Sequence, residues 1–330
     1  MKKLFFTLPI VILILILFIF VLSLLYSQKD ISKTLVEIEK GSNVSQIASL
    51  LQKRGIIDNK TIFYYYLRLT RESHELNYGN YLFDGEYSMI QVIQKIKSGK
   101  VVLHKLTIPE GLTKEKTCKL LSKKGFGDYE KYISLCNDAE YSKNLTKMEV
   151  HNLEGFLYPE TYFFPDDGSE TFIISHLVES FFKQTENLDL NKNDKNKLYE
   201  IIILASIVEK EARLELEKPK IASVYLNRLA KNHKLQADPT VAYILEQDGK
   251  HREKIYYKDL KIESPFNTYE KHGLPPTPIC SPGKKSIEAV INPEKSDLFY
   301  FFADGTGGHQ FSRTYREHIN KQNRVKDNGK

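Results

Sequence analysis

The apolar positions of this chain fall into three patterns, and the first is a block. From Leu4 to Tyr26 the residues are almost all Leu, Ile, Phe or Val, interrupted inside the run only by Thr7, Pro9 and Ser23 and carrying no charge. At a helical rise of about 1.5 Å per residue the block can cross a hydrocarbon core of roughly 30 Å. A cleaved signal peptide is the competing reading, but the run is too long and Leu24-Leu25-Tyr26-Ser27 offers no small-x-small cleavage site. Lys2 and Lys3 precede the block, whereas Lys29 and Asp30 cancel after it. The positive-inside rule therefore puts residues 1–3 in the cytoplasm as a stub, 4–26 across the cytoplasmic (inner) membrane as a single-pass helix, and everything from about Gln28 outside.

The second pattern is a change of period that occurs twice. Val36-Glu-Ile-Glu-Lys-Gly41 alternates as a strand does. Val44, Ile47, Ala48, Leu50 and Leu51 then recur at helical spacing, and Lys53-Arg54-Gly55 reads as a stop. The same grammar returns at Leu106-Thr-Ile-Pro-Glu-Gly111, followed by Cys118, Leu120 and Leu121 and then Lys123-Lys124-Gly125. Between the two copies, Tyr78 to Tyr87 surrounds Asp84-Gly85, a hairpin signal, and Ser88 to Ile96 predicts a helix closed by Gly99. The expected organisation is a small α+β module over 35–105, a duplicated βα element with linker over 106–149, and a larger mixed α/β domain over 150–330. The aromatic residues of the module suit either stacking against sugar rings or an ordinary core.

The third pattern is a helix apolar on nearly every face. After an Asn/Lys/Asp-rich surface stretch from Asn187 to Lys197, Leu198 to Val208 reads Leu-Tyr-Glu-Ile-Ile-Ile-Leu-Ala-Ser-Ile-Val and runs into Glu209-Lys210-Glu211. A helix hydrophobic all round belongs in a core. Glu209 shares a face with Ile202, Ala205 and Ser206, so its carboxyl is expected to be desolvated, which favours the protonated form that could donate to a glycosidic oxygen. Glu211, rotated by about 200°, is expected to face elsewhere. The alternative is that Glu209 merely begins a solvated helix end. Downstream, Pro219 opens a helix with Ile221, Val224, Tyr225, Leu226 and Leu229 inward, and Asp238-Pro239 has the form of an N-cap followed by N1. Gln236 precedes that helix with an amide able to donate and accept.

Composition narrows the chemistry. Forty-eight basic residues against 42 acidic ones give a net charge of only +6, spread as mixed runs, which argues against nucleic acid as a partner. Three cysteines without C-x-x-C spacing, and nine histidines without an H-E-x-x-H pair, indicate neither a metal site nor a disulfide framework, and no cofactor is expected.

Six ordered motifs then carry a resemblance. LEGFLYPETY (Leu153 to Tyr162), LASIVEKEA (Leu204 to Ala212), VYLNRL (Val224 to Leu229), LQADPTVAY (Leu235 to Tyr243), NTYEKHGLPPTPICSPG (Asn267 to Gly283) and FFADGTGGHQF (Phe301 to Phe311) together resemble the YceG-like family of endolytic murein transglycosylases. The resemblance implies a LysM-like character for the 35–105 module and a catalytic domain over 150–330. It places the family's catalytic glutamate, on the buried helix, at Glu209. It implies lytic cleavage of the β-1,4 bond between N-acetylmuramic acid and N-acetylglucosamine in peptidoglycan glycan strands, beside a peptidoglycan synthase. A single acid suffices: it protonates the leaving oxygen and then takes the proton of the muramyl C6 hydroxyl as the 1,6-anhydro ring closes. Glu154, Gln236, Asp238, Asn267, Thr268, Tyr269 and His309 are the expected substrate-binding residues, with a structural role for His309 equally open. The rival readings are a noncatalytic wall-binding anchor and a lysozyme-type hydrolase, which needs a second carboxylate.

Overall fold

The computed structural model describes residues 15–16, 19–100, 102–165, 169–188, 195–250 and 254–328. Most of the expected membrane span at 4–26 lies outside them, and among the described residues no helix is long and apolar enough to cross a membrane. The chain divides into two compact units: one holds the described part of 1–105 with that of 163–168, the other the described parts of 106–162 and 169–330.

The first unit is a two-stranded antiparallel sheet covered by helices. Strand β1 (Gln28–Ile38) leads to α1 (Val44–Lys53) and α2 (Lys60–Leu69); β2 (Gly79–Ser88) pairs with β1 and leads directly into α3 (Met89–Lys97). Asn43 and Ser88 cap α1 and α3 with reciprocal capping boxes, each satisfying orphan N–H groups at a helix start. Val36, Ile38, Tyr81 and Phe83 on the strands pack with Leu51, Phe63, Val92 and Ile96 in one core, which Leu25 also joins. Tyr81 and Phe83 are thus core residues, while Tyr78 is exposed. Asp84-Gly85 is not a hairpin turn. It lies inside β2, where the register slips between Ile31 and Thr34 opposite, and Gly85 supplies the positive φ of 98°. A bulge needs the same glycine chemistry as a turn, so the sequence signal is shared.

Strand β3 (Leu103–Thr107) carries the chain into the second unit, which continues with α4 (Lys114–Lys123), α5 (Tyr129–Asn137) and α6 (Ala139–Thr146). Residues 106–149, expected as a βα element and linker, are therefore largely helical and cluster with the rest of this unit. Strand β4 (Thr161–Pro165) pairs with β3, and α7 (Glu170–Thr185), α8 (Lys195–Glu211), α9 (Lys218–Ala230), α10 (Asp238–Gln247) and α11 (Lys284–Ile291) follow. Helix α8 is the axis of this unit, with α9, α10 and α11 packed on it. From Ile202 to Val208 seven successive residues are buried, and each large apolar side chain so placed contributes roughly 1.5–3 kcal/mol. The non-regular stretch from Ile262 to Gly283 lies against α8: Ser206 Oγ accepts from the Ile279 N–H at 3.0 Å, and the Cys280 thiol donates to the Ser206 carbonyl. The chain ends in the hairpin β5 (Tyr300–Ala303) and β6 (His309–Ser312), with Phe301 opposite Phe311, and in α12 (Tyr315–Asn328). Strand β5 is half-exposed because it belongs to a sheet of only two strands.

Candidate active site

The last turn of α8 leaves the core carrying two carboxylates, and each enters a different neighbourhood. Glu209 is held by three groups. The Lys218 ammonium lies 3.2 Å from its Oε2, the Gly283 N–H donates to the same oxygen at 3.0 Å, and the Ser286 hydroxyl donates at 2.6 Å. Lys218 is itself only 5% exposed and stands 3.9 Å from Glu110. The Glu209 carboxylate ties together the starts of α9 and α11. The Glu209 side chain is 9% exposed, as the helix face suggested, but the first residue of α9 brings a cation to it.

Glu211 faces the other way. Its Oε1 accepts from the Tyr225 hydroxyl at 2.6 Å, leaving Oε2 for another partner. Burial pushes the Glu211 carboxyl up to about 7; the Tyr225 hydrogen bond opposes this, Asp238 adds to it, and His309 and Arg228 pull against it. Two of the expected residues therefore bear on this carboxyl, Asp238 through its charge and His309 when protonated, and the Tyr269 hydroxyl donates to Asp238 Oδ1. Asp238 is the first residue of α10, not its cap. Ala237 occupies the cap position, and the Asp238 side chain is exposed toward Tyr269. Gln236, exposed and at φ 50°, is anchored by its N–H to the Thr268 carbonyl at 3.0 Å. A non-glycine residue in the left-handed region is held there by its surroundings, a condition common at ligand sites.

Three expected substrate residues are instead scaffold. Glu154 is fully buried, accepting from the Lys114 N–H at 2.9 Å and the Tyr243 hydroxyl at 3.2 Å, and burial pushes its carboxyl up to about 7. Asn267 is also fully buried: its amide donates to the Leu260 and Ile262 carbonyls at 3.0 and 2.7 Å, and its oxygen accepts from the Tyr269 N–H at 3.0 Å. Thr268 Oγ1 accepts from the Ala237 N–H and meets Thr240 Oγ1, both at 2.9 Å. Asn267 and Thr268 hold the loop that presents Gln236, Asp238 and Tyr269, whereas Glu154 ties the start of α4 to Tyr243 of α10.

Glu211 and Tyr225, which meet here at 2.6 Å, were not among the expected site residues. A signal for Glu211 exists: Leu204, Ile207 and Val208 lie seven, four and three residues before it, all buried. On a helix buried all round, however, both glutamates continue a buried stripe, and the wheel cannot choose between them. Among the described residues no cluster suited to a metal ion occurs. A pocket of about 310 Å³ lined by Ile201, Leu204, Leu226 and Leu229 includes none of these polar groups.

The sequence model of the YceG-like family matches residues 36–324. An endolytic murein transglycosylase of Bacillus subtilis (strain 168) is 34% identical over 313 residues, covering 88% of this chain and 84% of that protein. One of Streptococcus pneumoniae (serotype 2, strain D39) is 29% identical, and this chain spans 58% of its length. A crystal structure of a yceG-like protein from Listeria monocytogenes, 35% identical, superposes with a TM-score of 0.60 over 88% of this chain and 98% of that one. A family match that runs from β1 into α12, with the same architecture in a relative of known structure, means that this chain belongs to the YceG-like family.

Proposed function

We propose that this protein is an endolytic murein transglycosylase in which Glu211 is the acid and then the base. It would cleave the β-1,4 bond between N-acetylmuramic acid and N-acetylglucosamine and leave a 1,6-anhydro-muramyl end. Family membership and the names of the relatives support the reaction class. The observation that carries the residue assignment is the setting of Glu211: a half-buried carboxyl bonded through one oxygen to Tyr225, in the company of Asp238, Tyr269 and His309. A carboxyl held near 7 is protonated often enough at neutral pH to donate, and basic enough afterwards to accept.

The steps balance without water. Glu211 gives its proton to the bridging oxygen as the bond from that oxygen to the muramyl C1 breaks, and N-acetylglucosamine leaves with a free hydroxyl. The C6 hydroxyl of the same muramyl residue then bonds to C1 and returns its proton to Glu211. Tyr225 orients the carboxylate, while Gln236, Asp238, Tyr269 and His309 contact the sugars. Glu209, assigned the catalytic role by resemblance, serves in this reading as the ion-paired joint between α8, α9 and α11.

The 4–26 span is proposed as a single-pass anchor in the cytoplasmic membrane with the rest of the chain outside it, and the 35–105 module as LysM-like. Tethering would raise the concentration of the site near nascent strands and a peptidoglycan synthase. The test incubates the full-length protein in detergent with glycan strands. Products lighter by one water, about 18 mass units, than hydrolytic ends are expected, and none from Glu211→Gln. Ordinary reducing ends would instead favour a hydrolase using Asp238 as second carboxylate, and undiminished activity in Glu211→Gln would sink the assignment of the acid.

A further inference from the structure

Glu217 lies outside the six ordered motifs, yet it holds His309, the residue that follows the glycine-rich turn. It closes the short 3-10 turn Glu215–Glu217 just before α9. Its carboxylate accepts twice from one residue: the His309 backbone N–H reaches Oε1 at 3.0 Å, and His309 Nδ1 lies 2.7 Å from Oε2. The turn is shaped for this approach. Gly307 has φ 103°, and a Cβ on Gly308 would stand 3.1 Å from Glu217 Oε1.

A backbone latch needs only the first of these bonds. The second has a chemical consequence: against a carboxylate, Nδ1 is the nitrogen that carries the proton, so in the neutral ring Nε2 is left as an acceptor. The ring cannot turn to exchange them. The His309 side chain is 7% exposed, with the Phe301 ring edge-on at 5.4 Å and Phe311 at 6.3 Å. Phe301 in turn stands edge-on to Tyr225 at 5.6 Å, and the Tyr225 hydroxyl is the group bonded to Glu211. One packed series of side chains therefore joins Glu217, His309, Phe301, Tyr225 and Glu211.

We propose that Glu217 is a positioning residue that fixes His309 in the Nδ1–H form, so that Nε2 accepts a hydrogen bond from a sugar hydroxyl of the glycan at the Glu211 site. The proposal rests on the assignment of Glu211 as the acid. Glutamine is an informative replacement, because its single oxygen can accept from the His309 N–H or from Nδ1–H but not from both with the original geometry.

The experiment compares the full-length protein with Glu217→Gln, His309→Gln and the double variant on glycan strands, and records ¹⁵N spectra of His309. Each single change is expected to lower kcat roughly tenfold to a hundredfold with KM nearly unchanged, as a misplaced group does. The double variant should be no worse than His309→Gln alone, because the two act as one unit. The wild-type spectrum should show the Nδ1–H form. The proposal is overturned by an Nε2–H form in the wild type, by effects that multiply, or by a Glu217→Gln protein that melts earlier yet keeps its kcat. An inactive Glu211→Gln beside a fully active Glu217→Gln would remove this inference and leave the assignment of the acid standing.

Discussion

Glu209 and Glu211 sit two residues apart on α8 and have opposite fates. Lys218, Gly283 and Ser286 hold the first, while the Tyr225 hydroxyl holds the second. Glu211→Gln is expected to lower turnover by about 10²–10⁴-fold with little change in melting temperature, read by product mass and a thermal scan. Glu209→Gln should do the reverse. It weakens the partner of a nearly buried ammonium, so the melting temperature falls by several degrees while activity stays within a few fold. The pH profile offers a separate check. The donor form of Glu211 is the neutral one and burial raises its titration to about 7, so turnover should decline as pH rises through that value. Sequence spacing could not separate these two acids, because the choice depends on what other helices bring to each.

At the scale of elements, the stops and the all-round apolar helix were legible, since each depends on local backbone chemistry or on burial frequency. The bulge at Gly85 and the first turn of α10 were misread for a related reason: one glycine or one Asp-Pro pair serves more than one local geometry. Gly155 shows a constraint that only packing reveals. It has φ 89°, and a Cβ there would lie 2.6 Å from Pro278 Cγ and 3.1 Å from Ile202 Cγ2. Gly155→Ala is therefore expected to destabilise the protein by about 2 kcal/mol or more, measurable as a lower urea midpoint. Asn267→Ala tests the loop in the same way. Losing three internal bonds should loosen the segment bearing Tyr269, raising amide exchange at 260–270 and KM together.

For the whole molecule, buried carboxyls link stability to pH. Glu154 titrates near 4.5 when unfolded but near 7 when folded, so below 4.5 both states hold the proton and between 4.5 and 7 only the folded state does. Stability should therefore decline across that window, by roughly 3 kcal/mol from Glu154 if its burial is fully maintained. Urea midpoints from pH 4 to pH 8 should show the decline, and Glu154→Gln should flatten it, with the remaining decline shared by Glu211 and Glu110, whose carboxyls burial also raises. The sequence by itself determined the mixed α+β character of the chain, its buried central helix and the family, because these reside in local periodicity and in ordered motifs. Only the tertiary structure decided which donors surround each glutamate of α8, that Glu154, Asn267 and Thr268 are buried, and that Glu217 reaches His309 across 92 residues. A carboxylate's role is set by the donors and the burial around it, and those arrive from segments distant along the chain.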